Sequence, residues 1–185
     1  MPTTIGQRIL GRYRNWFWIL AAVVTALDQL TKHVFAPVGG MPYKTVLVPG
    51  FLDLIGRPLN PQGAFSLGPS TSLFYIVLTT AGLALVLWFF VTSPADRLLP
   101  HFALGCVAGG ALGNLIDRLI LKGVRDFIDL HWMDRAHWPT FNIADTAICV
   151  GVALLIWDAL RSPPAKQPAE AKDAGGKSRT GPQDR

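Results

Sequence analysis

The chain has 185 residues, 50% of them hydrophobic and only 16% charged, with a formal net charge of +5. A soluble domain is usually about 25% charged, so this composition points to a membrane. The basic excess is not interleaved with aromatics on any one segment, which argues against a nucleic-acid partner. Cys106 and Cys149 both fall inside apolar runs, which argues against a disulfide framework.

A membrane-crossing helix needs about 20 mostly apolar residues, and four segments meet that length. The first covers residues 16–35. Arg8, Arg12 and Arg14 precede it as in a secretory signal, but no small-x-small cleavage site comes before Asp28-Gln29, so it is predicted to remain a span. The outer loop 36–72 contains TVLVPGFLDLI, where β-branched and apolar residues flank Pro49-Gly50, so a short β-hairpin is expected. The second and third spans cover 73–91 and 101–121. Leu104-Gly105-Cys106 in the third resembles a lipidation box, but it lies mid-chain and reads as helix packing. The loop 122–140, with Trp132 and Trp138, is expected along the membrane interface, and the fourth span covers 141–160. Residues 162–185 are rich in Pro, Ala, Lys and Gly without apolar periodicity, and are expected to be disordered. The organisation predicted is a basic N-terminus (1–15), a four-span unit (16–160) and a basic tail (161–185). Its fold class is an all-α membrane protein, a four-helix bundle with a small extracytoplasmic β-region and an interfacial helix or loop.

Ten of the lysines and arginines fall on the side of the two termini and five on the side of the two longer loops. Both termini are therefore expected in the cytoplasm. This orientation places Asp28 and Lys32, Asn114, Asp117 and Arg118, and Asn142 and Asp145 at one depth, just below the outer surface. A charged group at the membrane centre costs about 2.5–3.5 kcal/mol on insertion scales, so these groups must pair or line a wet cavity. Asp28 and Lys32 are four apart and share a helix face; Asn114, Asp117 and Arg118 stand at i, i+3 and i+4. Asp28 with Lys32 reads first as an internal ion pair. Asp117 with Arg118 reads equally as a helix-end polar cluster or as a substrate-orienting pair. Asp129 and Asp134 read as solvated or capping groups, and His131 and His137 as interfacial residues. Asp145 has no basic residue within a helical turn, so its partner must come from elsewhere.

At these residues the sequence resembles the lipoprotein signal peptidases (signal peptidase II), four-span aspartyl proteases of bacterial membranes. "LDQLTKHVF", "GGALGNLIDR", "VRDFIDLHW" and "WPTFNIAD" match four family motifs in order, across residues 16–160. A fifth departs: the family usually shows Asn-x-Gly-Ala-Ala-Phe in the first outer loop, and here "NPQGAFSL" puts Gln62 in the Gly place, with Gly63 one position later. The resemblance implies a catalytic dyad of Asp126 and Asp145. It also implies that Asn60, Gly63, Asn114, Arg118 and Asn142 surround the dyad and that Asp28 and Lys32 support it. The implied enzyme sits in the inner membrane with its site near the outer face. It removes signal peptides from prolipoproteins by cutting just before a diacylglyceryl-modified cysteine, as a monomer among membrane lipids, with no cofactor and no metal.

The residue chemistry allows that reading. Two carboxylates in one site cannot both ionise cheaply, so the pair holds a proton, one member serving as base on a water and the other as acid to the leaving nitrogen. A serine or cysteine nucleophile would want a histidine base, yet His101 is predicted on the cytoplasmic side and the cysteines are in apolar surroundings. A proton-coupled transporter would place acids at the midplane or on both sides, often with inverted repeats, and no repeat is visible. A scaffold whose polar groups merely pair internally is the remaining alternative.

Overall fold

The computed structural model describes residues 13–61, 71–133 and 135–161. Among these residues, four helices and four short strands follow one another along the chain. They are α1 (Arg14–Phe35), β1 (Lys44–Val48), β2 (Leu52–Ile55), α2 (Ser72–Thr92), α3 (Leu98–Leu121), β3 (Ile128–Trp132), β4 (Ala136–His137) and α4 (Ile143–Arg161). The helix ends lie within three residues of the predicted spans. Among the described residues α2, α3 and α4 are long and apolar enough to cross a membrane. The apolar run of α1 is as long but is interrupted by Asp28, Gln29 and Lys32.

α3 is the centre of the bundle, and α1 and α4 pack most closely on it. Its small residues make this possible. A Cβ on Gly109 would lie 2.8 Å from the carbonyl of Ala21 in α1, and one on Gly110 would run into the carbonyl of Ala144 in α4. In an apolar solvent, where helix association rests on close packing, such residues let backbones approach. Cys106 is buried in α3, as expected of a packing residue. α2 is different: of its side chains only Phe90 is buried. Phe90 stacks on Phe17 of α1 at 4.1 Å between ring centroids, within a cluster that includes Ala21, Leu104 and Ala108. Arg14, counted above among the terminal charges that set orientation, is itself buried, and its Nη2 donates to the carbonyls of Val91 (3.2 Å) and Ser93 (2.6 Å) at the end of α2. A guanidinium there satisfies carbonyls that a helix end leaves open.

The four strands form one antiparallel sheet in the order β1-β2-β3-β4. The expected hairpin is present. Pro49 and Gly50 make its turn, Gly50 at φ +73°, with Phe51 N donating to Val48 O at 3.0 Å. Pro followed by a positive-φ Gly is the pattern of a type II turn. The described residues of loop 122–140 supply β3 and β4 to the sheet, with Trp132 and Trp138 exposed. Asp53 of β2 and Asp129 of β3 stand directly opposite each other and are buried. Asp129 is therefore not solvated. His131 is buried too, a sheet residue with Nε2 2.9 Å from Asp53 Oδ2. Asp134, Gln62, Gly63 and the tail from 162 lie outside the described residues.

Candidate active site

One end of the bundle and the sheet meet where α4 begins. The segment leaving α3 carries Lys122 in the left-handed region (φ 63°) and then runs extended past Asn60. Asn60 and Val124 exchange backbone hydrogen bonds of 2.8 Å in both directions, and Phe127 N donates to Phe141 O at 3.2 Å. Asp126 is thus held between two backbone pairings, and its carboxylate is buried.

Asn142 joins the two predicted catalytic acids. Its Nδ2 donates to Asp126 Oδ1 at 2.7 Å, and its backbone N donates to Asp145 Oδ2 at 3.2 Å. Asp145 N donates back to Asn142 Oδ1 at 3.0 Å. Asn before the first residue of α4 and Asp three positions on satisfy each other's backbone N–H, which is the capping-box arrangement. The other oxygen of Asp126 accepts from Asn60 Nδ2 at 2.9 Å, and Asp145 Oδ1 accepts from Asn114 Nδ2 at 2.8 Å. Asn114 Oδ1 accepts from Asn142 Nδ2 (3.2 Å) and from Lys32 Nζ (2.8 Å).

Behind this layer lies an ion cluster of fully buried groups. Lys32 Nζ is 2.8 Å from Asp28 Oδ2 and 3.4 Å from Asp117 Oδ2. Asp28 Oδ1 also accepts the N–H of Ala144 at the start of α4, at 2.9 Å. The predicted i,i+4 ion pair is present, and it ties α1 to the first turn of the helix that bears Asp145. Asp117 and Arg118 do not act together. Asp117 turns to Arg125, whose Nη2 and Nε reach its two oxygens at 2.7 and 3.2 Å. Arg118 stays buried on the other side, 5.4 Å from the Tyr75 ring centroid and near enough to Asp145 and Asp126 to be attracted by both. Neighbours on a helix do not share a face. Its Nε has no hydrogen-bond partner among the described residues.

Burial pushes the Asp126 carboxyl up to about 6, and the negative charge of Asp145 adds to this; the hydrogen bonds from Asn60 and Asn142 and the charge of Lys32 act the other way. An acid near neutrality beside a second carboxylate is the arrangement that keeps one proton on a pair. Among the described residues no three His, Cys, Asp or Glu side chains are grouped to hold a metal ion.

The sequence profile described as Signal peptidase (SPase) II matches residues 20–161. The chain belongs to the signal peptidase II family. It is 39% identical over 141 residues to the lipoprotein signal peptidase of Syntrophotalea carbinolica, covering 75% of this chain and 86% of that protein. The one from Polynucleobacter necessarius is 42% identical over 146 residues, covering 77% and 87%. A solved structure described as a bacterial membrane enzyme, by the in meso method at 2.3 Å resolution, superposes with a TM-score of 0.74 at 28% identity, over 88% of this chain and 98% of the other. As a signal peptidase II the chain is a protease of the aspartic type.

Within this signal peptidase II, Asn60, Asn114 and Asn142 bond the two aspartates directly, Lys32 reaches Asp145 through Asn114, Asp28 holds the N–H of Ala144 beside Asp145, and Arg118 lies near both acids. Gly63 lies outside the described residues. Reading the sequence missed two contributors, Gln29 and Arg125, and left Asp117 with the wrong neighbour. Gln29 Nε2 donates to Gly113 O (3.0 Å), Asp117 Oδ1 (3.2 Å) and Asp28 Oδ2 (3.2 Å). The only sequence signal for Arg125 was a cation eight residues after Asp117, across the end of a helix, where no regular spacing applies.

Proposed function

We propose that the chain is a four-span protease of the bacterial inner membrane, with both termini in the cytoplasm, that cuts prolipoproteins just before a diacylglyceryl-modified cysteine. Asp126 and Asp145 are its catalytic pair. The observation that carries this reading is Asn142, which bonds both carboxylates from a single residue and so holds acids from two separate segments at one place.

The residues perform the steps as follows. With one proton between them, the ionised carboxylate takes a proton from a water, which attacks the scissile carbonyl. The protonated carboxyl polarises that carbonyl and then delivers its proton to the leaving nitrogen. The pair titrates as a unit, so neither acid alone owns the proton. Asn60 and Asn114 each donate to one carboxylate, fixing the direction of its remaining lone pairs. Arg118, charged and near both acids, steadies negative charge as it builds on the carbonyl oxygen. Counting α1 as the first of the four spans is consistent with its polar interruption, because Asp28, Gln29 and Lys32 all face protein partners.

The depth of the site suits the substrate. Acyl chains on the cysteine stay in the outer leaflet, so the adjacent peptide bond lies at the membrane surface, level with the ends of α3 and the start of α4. The test is turnover of a diacylglyceryl-modified prolipopeptide by purified protein. Asp126→Asn and Asp145→Asn should each abolish shortening of the peptide while still inserting into membranes. Cleavage at the normal rate by either variant would remove the dyad assignment.

A further inference from the structure

Arg125 sits immediately before Asp126, and a guanidinium beside a carboxylate would be expected to pair with it. It does the opposite. Successive side chains of extended backbone point to opposite sides, and Arg125 turns away from the dyad into the space between α1 and α3. There its Nε and Nη2 meet the two oxygens of Asp117 at 3.2 and 2.7 Å, a forked ion pair. Its backbone N donates to Asp117 Oδ2 at 3.0 Å, and its Nη2 donates to Gln29 Oε1 at 2.9 Å. Its carbonyl accepts from Asn142 Nδ2 at 3.3 Å. Asp117 is fully buried and the Arg125 side chain is 11% exposed.

One residue therefore fastens the Asp126 segment to α3 through Asp117, to α1 through Gln29 and to the α4 cap through Asn142. The charges also balance: Lys32 and Arg125 stand against Asp28 and Asp117. Breaking a buried pair from one side leaves the other charge uncompensated, so the segment has a strong reason to stay where it is. A lysine cannot replace this hold, since a single ammonium lacks the planar fork that matches a carboxylate.

We propose that Arg125 is a positioning residue for peptide hydrolysis, fixing Asp126 in its reacting place through the fork to Asp117 and the contact to Gln29. This rests on the reading of Asp126 and Asp145 as the catalytic pair. Its effect belongs on turnover and not on substrate binding, because Arg125 faces away from the carboxylates.

The test measures kcat and KM of purified, folded Arg125→Gln and Arg125→Lys on the diacylglyceryl-modified prolipopeptide, with Asp126→Asn alongside. A displacement of about 1 Å costs about 100-fold in rate, so Arg125→Gln should lose roughly that factor in kcat with KM changed less than about twofold. Arg125→Lys keeps the charge and is the variant to rely on if Arg125→Gln fails to accumulate in membranes; it should still lose about tenfold in kcat. Wild-type kcat in Arg125→Lys, or a loss in either variant that appears only in KM, would overturn the proposal. The control separates the two levels: an inactive Asp126→Asn beside a fully active Arg125→Lys defeats the positioning role alone, whereas an active Asp126→Asn defeats the dyad beneath it.

Discussion

Asn142 and Asp145 cap each other: the backbone N–H of each donates to the side chain of the other, at 3.2 and 3.0 Å. The same Asn142 side chain reaches Asp126 at 2.7 Å. One residue thus starts α4 and couples the two acids, so its structural and chemical contributions can be separated by substitution.

Losing an N-cap costs about 1 kcal/mol, a small fraction of the stability of a folded helix bundle. Losing the contact that sets the distance between the acids is the larger effect, on the order of 100-fold in rate. Asn142→Ala is expected to show both. Asn142→Ser keeps a capping oxygen but cannot reach Asp126, so it should recover most of the thermal stability and little of the activity. Parallel melting curves and prolipopeptide assays check this; recovery of activity with Ser would show that the link to Asp126 is dispensable.

The pH dependence follows from the proton that Asp126 and Asp145 share. Burial first, and then the charge of Asp145, raise the Asp126 carboxyl to about 6, so the shared proton is present below that pH and is lost as pH rises through it. kcat/KM is expected to fall on the alkaline side of about 6. Asn60 donates to the ionised carboxylate and holds the value down. In Asn60→Ala the descending limb should therefore move to higher pH, whatever the absolute rate, in profiles normalised to their maxima. A limb that moved down, or stayed, would contradict the assignment of that limb to the Asp126–Asp145 pair.

Among the described residues Lys32 is the only cation paired with Asp28, and Lys32, Asp28 and Asp117 are fully buried. Removing one partner of a buried ion pair typically costs about 3–5 kcal/mol. Lys32→Met is expected to lose stability on that scale, seen in thermal unfolding in detergent, and to lose activity with it, because Asn114 then loses one of the donors that orient it toward Asp145.

In the sheet, His131 presents one ring nitrogen to Met133 O at 2.8 Å and the other to Asp53 Oδ2 at 2.9 Å. Both partners are acceptors, so the ring is doubly protonated when both bonds are made. Those bonds, first the one to Met133 O and then the one to Asp53, hold His131 above its ordinary 6.5. Lys44, at 2.8 Å, and then His131 hold Asp53 below its ordinary 3.8, against the effect of burial. The sign follows for each group: the Asp53 contribution is present above about 3.8 and lost as pH falls through its lowered value, while that of His131 is present below 6.5 and lost as pH rises through its raised value. Thermal stability should therefore decline on the alkaline side, and His131→Gln should flatten that decline. His137, near Asp129 at 3.3 Å, is the neighbouring group to mutate as a control.

The helices and the Asp28–Lys32 pair were legible because apolar length and an i,i+4 spacing are local properties. The hairpin was legible from Pro49-Gly50. The partners of Asp117 were not, since the nearest cation in sequence, Arg118, is about 100° away around the helix and the true partner, Arg125, lies beyond its end. The strands in 122–140 were missed for another reason. Alternation in β2 and β3 buries Asp53, Asp129 and His131 while leaving Leu54 and Leu130 half-buried, the reverse of the usual apolar-in pattern on which strand recognition depends.

The sparse burial of α2 makes its few named contacts informative. At the end away from the site it is anchored by the Phe17–Phe90 stack and the two hydrogen bonds from Arg14, whereas at the site end its described ties are the Tyr75 ring beside Arg118 and the Ser72 hydroxyl on Lys122 O. The far end is thus set by aromatic packing and a buried guanidinium, and the near end by contacts to α3 and the segment that follows it. Tyr75 is the side chain through which α2 meets the surroundings of Arg118 and the acids.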